Sequence, residues 1–196
     1  MAVSDRVQEA LIKLEEHDVD NALIQLSIAV DATAKKMFPQ LKNAQRIKSF
    51  LKAKRTFIWW TLYNGIPNSD GEFYLSFADK GYVSIEDIMY KYIRCRLLHE
   101  GEAPANISFD YVEYFKVNAD SSLILPVAYL YAILWAVISS DENKNEKMVR
   151  DFCVCFGLKK ANLNDYWGDE VRIKDAIRNG FEYDCEAILK QLKEQA

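Results

Sequence analysis

Apolar residues recur at helical spacing along most of this chain, and that periodicity limits the folds open to it more than any other feature. Val7, Leu11 and Leu14 fall at i, i+4 and i+7 behind a capping residue at Ser4, and predict a first amphipathic helix. A turn at His17-Asp18-Val19-Asp20 leads to a second helix from about Asp20 to Met37. Leu23, Leu26, Val30, Ala34 and Met37 line one of its faces, and Pro39 stops it. So short a connection makes the two an antiparallel hairpin. A third helical segment covers about Asn43 to Tyr63. Its aromatic run Thr56-Phe57-Ile58-Trp59-Trp60-Thr61-Leu62-Tyr63 reads first as core packing and second as an interface.

Turn residues crowd the stretch from Asn64 to Gly71, and Glu72 to Ala78 has room for a short strand. Ser84 then caps a helix ending near His99, with Asp87 three residues on and Gly101 placed as its left-handed terminus. Loose alternation from Ile107 to Phe115 suggests another short strand. An apolar helix is expected over about Leu123 to Ser139, a further one over Asn143 to Phe156, and two amphipathic helices after Asp169. Seven glycines and four prolines in 196 residues are few, which disfavours an all-β design. The expectation is a single all-α domain over 1–196, a bundle of about seven helices with one or two short strands in its connections. The bundle core would span about 5–140, with a helical extension over about 141–196.

Composition excludes several classes. Half the residues are hydrophobic and 28% are charged, the balance of a soluble globular protein. The start Met1-Ala2-Val3-Ser4-Asp5 has no secretory pattern. The charge-free run Leu123 to Ile138 is shorter than the roughly 20 residues that cross a bilayer, so a buried helix and a cytoplasmic protein away from membranes are expected. Cys95, Cys153, Cys155 and Cys185 lack zinc-ligand spacing and read as small buried hydrophobes in a reducing compartment. No metal or other cofactor is called for.

Charge is uneven. Ala32 to Ser69 holds no acid but eight cations, so a segment of +8 sits in a chain of net −4. Such a stretch either faces a polyanion or pairs with acids brought in by the fold. Lys48, Lys52 and Arg55 are the candidate RNA-binding residues within it.

The chemistry-bearing run is Tyr92-Ile93-Arg94-Cys95-Arg96-Leu97-Leu98-His99-Glu100-Gly101. A guanidinium grips phosphate oxygens, and an imidazole moves protons near neutral pH. On a regular helix Arg94 and His99 would stand about 140° apart, whereas Arg96 and His99 would share a face with Ile85, Ile88, Met89 and Tyr92. Asp31 on the second helix is a candidate acid for orienting His99 or an arginine, although an i, i+4 pair with Lys35 would also use it.

Arg94-x4-His99, placed at the end of a capped helix behind a helical hairpin, resembles the signature of the HEPN superfamily. Its members are all-α bundles, many of them metal-independent ribonucleases of toxin–antitoxin and phage-defence systems. Cys95 departs from the polar residue that often follows the arginine there. The resemblance implies an endoribonuclease without cofactor. Arg94 and His99 would be catalytic, Arg96 an additional candidate, RNA the substrate, and products would end in a 2′,3′-cyclic phosphate. It also implies a homodimer through the motif helix and a cognate antitoxin or defence-system partner. The second reading is a non-catalytic helical module of the same fold that dimerises or binds a protein.

Overall fold

A computed structural model describes residues 2–65, 73–76, 81–95, 97, 106–156 and 159–180, with backbone alone for Tyr92 and Lys159. Helices α1 (Val3–Glu15) and α2 (Val19–Met37) form the expected hairpin. Val7, Leu11 and Leu14 are buried in α1, and Leu23, Leu26, Val30 and Ala34 in α2. The helix-start chemistry differs from expectation. Ser4 lies inside α1, where its N–H and hydroxyl both donate to Glu146 at 3.0 and 2.9 Å. Asp5 instead accepts from the Ala2 N–H. Asp18 caps α2 by accepting from the Asn21 N–H, and His17 turns the chain in the left-handed region at φ 59°.

The third segment divides into α3 (Asn43–Ala53) and α4 (Arg55–Leu62), with the break at Lys54. Across that break Lys54 reaches Glu170 at 3.0 Å, while Arg55 turns inward. Phe57, Ile58, Trp59 and Trp60 are all buried, which makes the aromatic run core. Trp59 packs among Phe73, Phe115 and Tyr129 with ring centroids 4.7 to 5.9 Å away.

The fold is not all-α. Among the described residues seven strands form three small sheets, so the architecture is mixed α/β. β1 (Tyr74–Ser76) and β2 (Tyr82–Ser84) make an antiparallel hairpin. β3 (Ile107–Asp110), β4 (Lys116–Val117) and β5 (Leu123–Pro126) form a sheet in the order β3-β5-β4. Its β3–β5 pair is parallel and its β4–β5 pair antiparallel. β6 (Cys153–Phe156) and β7 (Lys159–Asn162) form the third sheet.

Two of these strands replace expected helix. Leu123 to Pro126 belong to β5, and the helix that follows begins only at Val127. A short uncharged apolar run carries the same pattern as buried strand or buried helix. Pro126 decides between them, since it suits the residue before a helix and not a helix interior. The expected helix over Asn143 to Phe156 is also absent. A 3-10 turn at Asp141–Asn143 leads instead through irregular chain to β6. Cys153 and Cys155 alternate outward on β6 and are exposed rather than buried. After a 3-10 turn at Leu163–Tyr166, a helix covers 170–180; the second expected C-terminal helix lies outside the described residues.

α6 (Val127–Ile138) is the axis of the core. Ten of its twelve residues are buried, and α2 and α4 pack against it. No described helix is long and apolar enough to cross a membrane. Polar groups cluster just past the C-terminus of α6. The fully buried Asn143 donates to Val137 O at 2.8 Å and to the Thr33 hydroxyl at 2.9 Å, and it accepts from Lys36. Gly168 completes the turn at φ 74°, where a side chain would run into the Lys144 backbone. Because Asn143→Ala strands these buried partners, it should lower unfolding free energy by about 1–3 kcal/mol in urea denaturation.

Candidate functional site

The motif helix starts as expected at Ser84. Its hydroxyl accepts from the Asp87 N–H at 3.2 Å and donates to the Asp87 carboxylate at 3.1 Å. Ile85–Asp87, termed α5, then opens into a π-helix over Ile88–Arg94, and the Cys95 N–H bonds to Tyr90 O five residues back. This corrects the regular-helix geometry. Met89 and Arg94, also five apart, line one small cavity, whereas α-helical spacing would set them about 140° apart. Ile88, Ile93 and Leu97 are covered by the rest of the chain, and Lys91 is exposed.

Arg94 is brought to Asp31, as the sequence suggested for an orienting acid. Its Nη2 lies 3.9 Å from Asp31 Oδ2, and its guanidinium carbon lies 5.6 Å from the centre of the Tyr90 ring. Asp31 is claimed more closely by Arg46, at 2.8 Å, than by Arg94, and the i, i+4 pair with Lys35 does not form. Two guanidiniums thus share one carboxylate. The Nε atoms of Arg94 and Arg46 are buried without a hydrogen-bond partner among the described residues. Beside Arg94, a cavity of about 20 Å³ is walled by Leu23, Leu26, Val30, Ile47 and Ile133, the room that one water occupies. His99 and Arg96 lie outside the described residues.

The basic segment is largely answered from within the fold. Lys36 pairs with Glu146, Arg46 with Asp31, Lys48 with Asp87, Lys54 with Glu170 and Arg55 with Glu86. Of the three RNA-binding candidates, Arg55 is buried, with Nε and Nη2 2.8 and 2.7 Å from one Glu86 oxygen. The neighbouring Tyr129 phenol is held well above its ordinary value, by burial first and the Glu86 carboxylate second. Lys48 stays half-exposed, 2.7 Å from Asp87 and 6.0 Å from the Tyr90 ring centre. Lys48, Lys52 and Arg55 nevertheless converge. With Ser49, Tyr74, Ser84, Glu86 and Asp87 they line one cleft of about 290 Å³.

Tyr90 stands between the two groups of residues, with Lys48 and Arg94 each within about 6 Å of its ring. A belt of charge therefore runs along the motif helix from Arg55–Glu86 through Asp87–Lys48 to Arg94–Asp31–Arg46. The residues that sequence reasoning did not single out are Arg46, Tyr90 and Glu86. Arg46 stood in the basic run, while Glu86 and Tyr90 gave no signal of their own. No cluster of metal-ligating side chains occurs among the described residues.

The family model named Rv1289 matches residues 2–192, nearly the whole chain. The chain belongs to the Rv1289 family. No curated protein and no solved structure matches this Rv1289-family chain.

The Lys48 ammonium, hydrogen-bonded to Asp87, holds that carboxyl below the usual carboxylate range, with the Ser84 hydroxyl assisting. A depressed folded-state value makes the pair stabilising above the ordinary carboxylate range and loses that contribution as pH falls through the lowered value. Lys48→Met should therefore move the Asp87 titration upward toward the ordinary range in a carboxyl-carbon NMR titration.

Proposed function

We propose that this chain is a metal-independent endoribonuclease of a toxin or phage-defence type, with a HEPN-like active site of Arg94 and His99. The observation that carries this reading is the charge imbalance at the end of the motif helix. Among the described residues Arg46 and Arg94 hold two positive charges against the one negative charge of Asp31, in surroundings where the side chains are only 15% and 13% exposed. A partly buried cation without full compensation favours a further anion. A phosphodiester supplies one, and a guanidinium matches its oxygens geometrically.

In the proposed reaction His99 removes the proton of a ribose 2′-hydroxyl as general base. The 2′-oxygen bonds to the adjacent phosphorus, the bond to the 5′-oxygen breaks, and a proton passes to that leaving oxygen. The products are a 2′,3′-cyclic phosphate and a free 5′-hydroxyl. Arg94 stabilises the negative charge that grows on the non-bridging oxygens. Asp31, with Arg46 behind it, sets the orientation of Arg94 without neutralising it. Arg96 is a second cation in sequence reach of the same phosphate.

The proposed partners are RNA, a second copy of the chain and a cognate antitoxin or other defence-system protein. Pairing through the motif helix would not use Ile88, Ile93 or Leu97, which are already covered.

Incubation of labelled RNA in EDTA tests the reading. Wild type should cut, His99→Ala should not, and Arg94→Ala should cut about 100-fold more slowly or worse. Equal cleavage by wild type and His99→Ala overturns the assignment.

A further inference from the structure

Cys153 and Cys155 are free thiols on one face of β6. They alternate with Val154 and Phe156, which pack against the core, and both are exposed. Cysteine is among the most buried residue types, so two of them in the open at alternate strand positions call for a reason other than packing. They are not set for a disulfide with each other. Two steps of strand place same-face Cβ atoms about 6.7 Å apart, whereas a disulfide draws them to about 3.8 Å. Across the hairpin Cys155 pairs with the exposed Lys160, and Cys153 with Asn162. The carboxylate nearest them in sequence, Asp151, accepts a hydrogen bond from Asn164 at 3.0 Å.

Two thiols at that spacing are a ligand pair for a soft ion. Staggered rotamers let both sulfurs lean toward each other along the strand. A metal–thiolate bond is about 2.3 Å, so a linear sulfur–metal–sulfur unit spans about 4.6 Å, within reach of two such thiols. Zinc takes four ligands in a tetrahedron, and the described residues hold no cluster of three. We propose that Cys153 and Cys155 form a two-coordinate site for a univalent thiophilic cation, copper(I) foremost, on the outer face of β6. Each thiol gives up its proton, two sulfur–metal bonds form, and no electron moves. The resulting unit carries one negative charge, and Lys160 opposite Cys155 supplies a positive one. The site shares no residue with the proposed ribonuclease site and does not rest on that reading.

The test is a competition for copper(I) under anaerobic, reducing conditions, with the full chain titrated into the coloured complex of copper(I) with bathocuproine disulfonate. Wild type should withdraw one copper per chain. Cys153→Ser and Cys155→Ser should each weaken binding by more than about 100-fold, beyond the cost of losing a supporting contact, because one thiolate remains. Cys95→Ser and Cys185→Ser should withdraw copper as wild type does. The exposed positions of Cys153 and Cys155 leave folding untouched, which circular dichroism verifies. X-ray absorption at the copper edge should count two sulfur neighbours, and the loaded chain should elute from a sizing column with the metal-free one.

No withdrawal of copper, withdrawal that survives Cys153→Ser or Cys155→Ser, three or more sulfur neighbours, or copper-driven pairing of chains each overturns the site. So does uptake of zinc(II) in preference to copper(I). These results separate from those on the active site. Cleavage of RNA in EDTA is read without any metal, and His99→Ala should bind copper as wild type does.

Discussion

A helix without a single charged residue has to be covered over most of its surface, and α6 imposes that requirement on the rest of the chain. Burying its Val, Leu, Ile, Ala and aromatic side chains supplies apolar area that α2 and α4 contribute from their own faces. The ends of α6 are then where polar backbone must be satisfied. Pro126 opens it from a strand, and at the far end Ser139, Ser140 and Asn143 take up the last carbonyls. With α6 fixed, the α1–α2 hairpin and the motif helix have settled places around it. Arg94 reaches the same cavity as Ile133 of α6 and Leu23 of α2.

Charge is arranged on that apolar frame by a second rule, that a cation drawn inward takes an acid with it. Arg55 has Glu86 and Lys54 has Glu170, so much of the +8 segment is spent on holding elements together. Arg94 departs from the rule. Its share of Asp31 is the longer of two contacts, and its Nε has no partner among the described residues. The π-helical geometry has a part in this. Adding one residue to the turn swings Arg94 onto the face of Met89, to the rim of the cavity that both line.

What could be read from the sequence follows from how local each signal is. The α1–α2 hairpin was legible because Val7, Leu11, Leu14 and Leu23, Leu26, Val30 repeat at one period. The Ser84 start was legible because a cap acts within three residues. β5 was not, since Leu123 to Leu125 read equally well as helix until Pro126 and the pairing with Ile107 to Phe109 are taken together. Residues Asn143 to Phe156 misled for the same reason, their strand being defined by pairing with β7. At the site, Asp31 was found from its place on α2. Its nearer partner Arg46 was not, because the turn at Pro39 that brings α3 back is not written in either residue. Glu86 gave no sign of taking Arg55, a contact across 31 positions.

Sharing one carboxylate between two guanidiniums has a consequence for how Arg94 can act. A carboxylate held at 2.8 Å by Arg46 is kept in place, so it orients Arg94 from a fixed point. At 3.9 Å it is too distant for a strong hydrogen bond, so it does not compete closely for the guanidinium donors. A closer Asp31–Arg94 pair would have taken up the guanidinium donors themselves. A more distant one would have left Arg94 free to swing on its long side chain. The observed arrangement lies between these, and Tyr90 limits the remaining freedom by facing the guanidinium across its ring. Arg46, which lines neither the cleft nor the cavity, thereby becomes the residue on which the position of Asp31, and through it the setting of Arg94, depends.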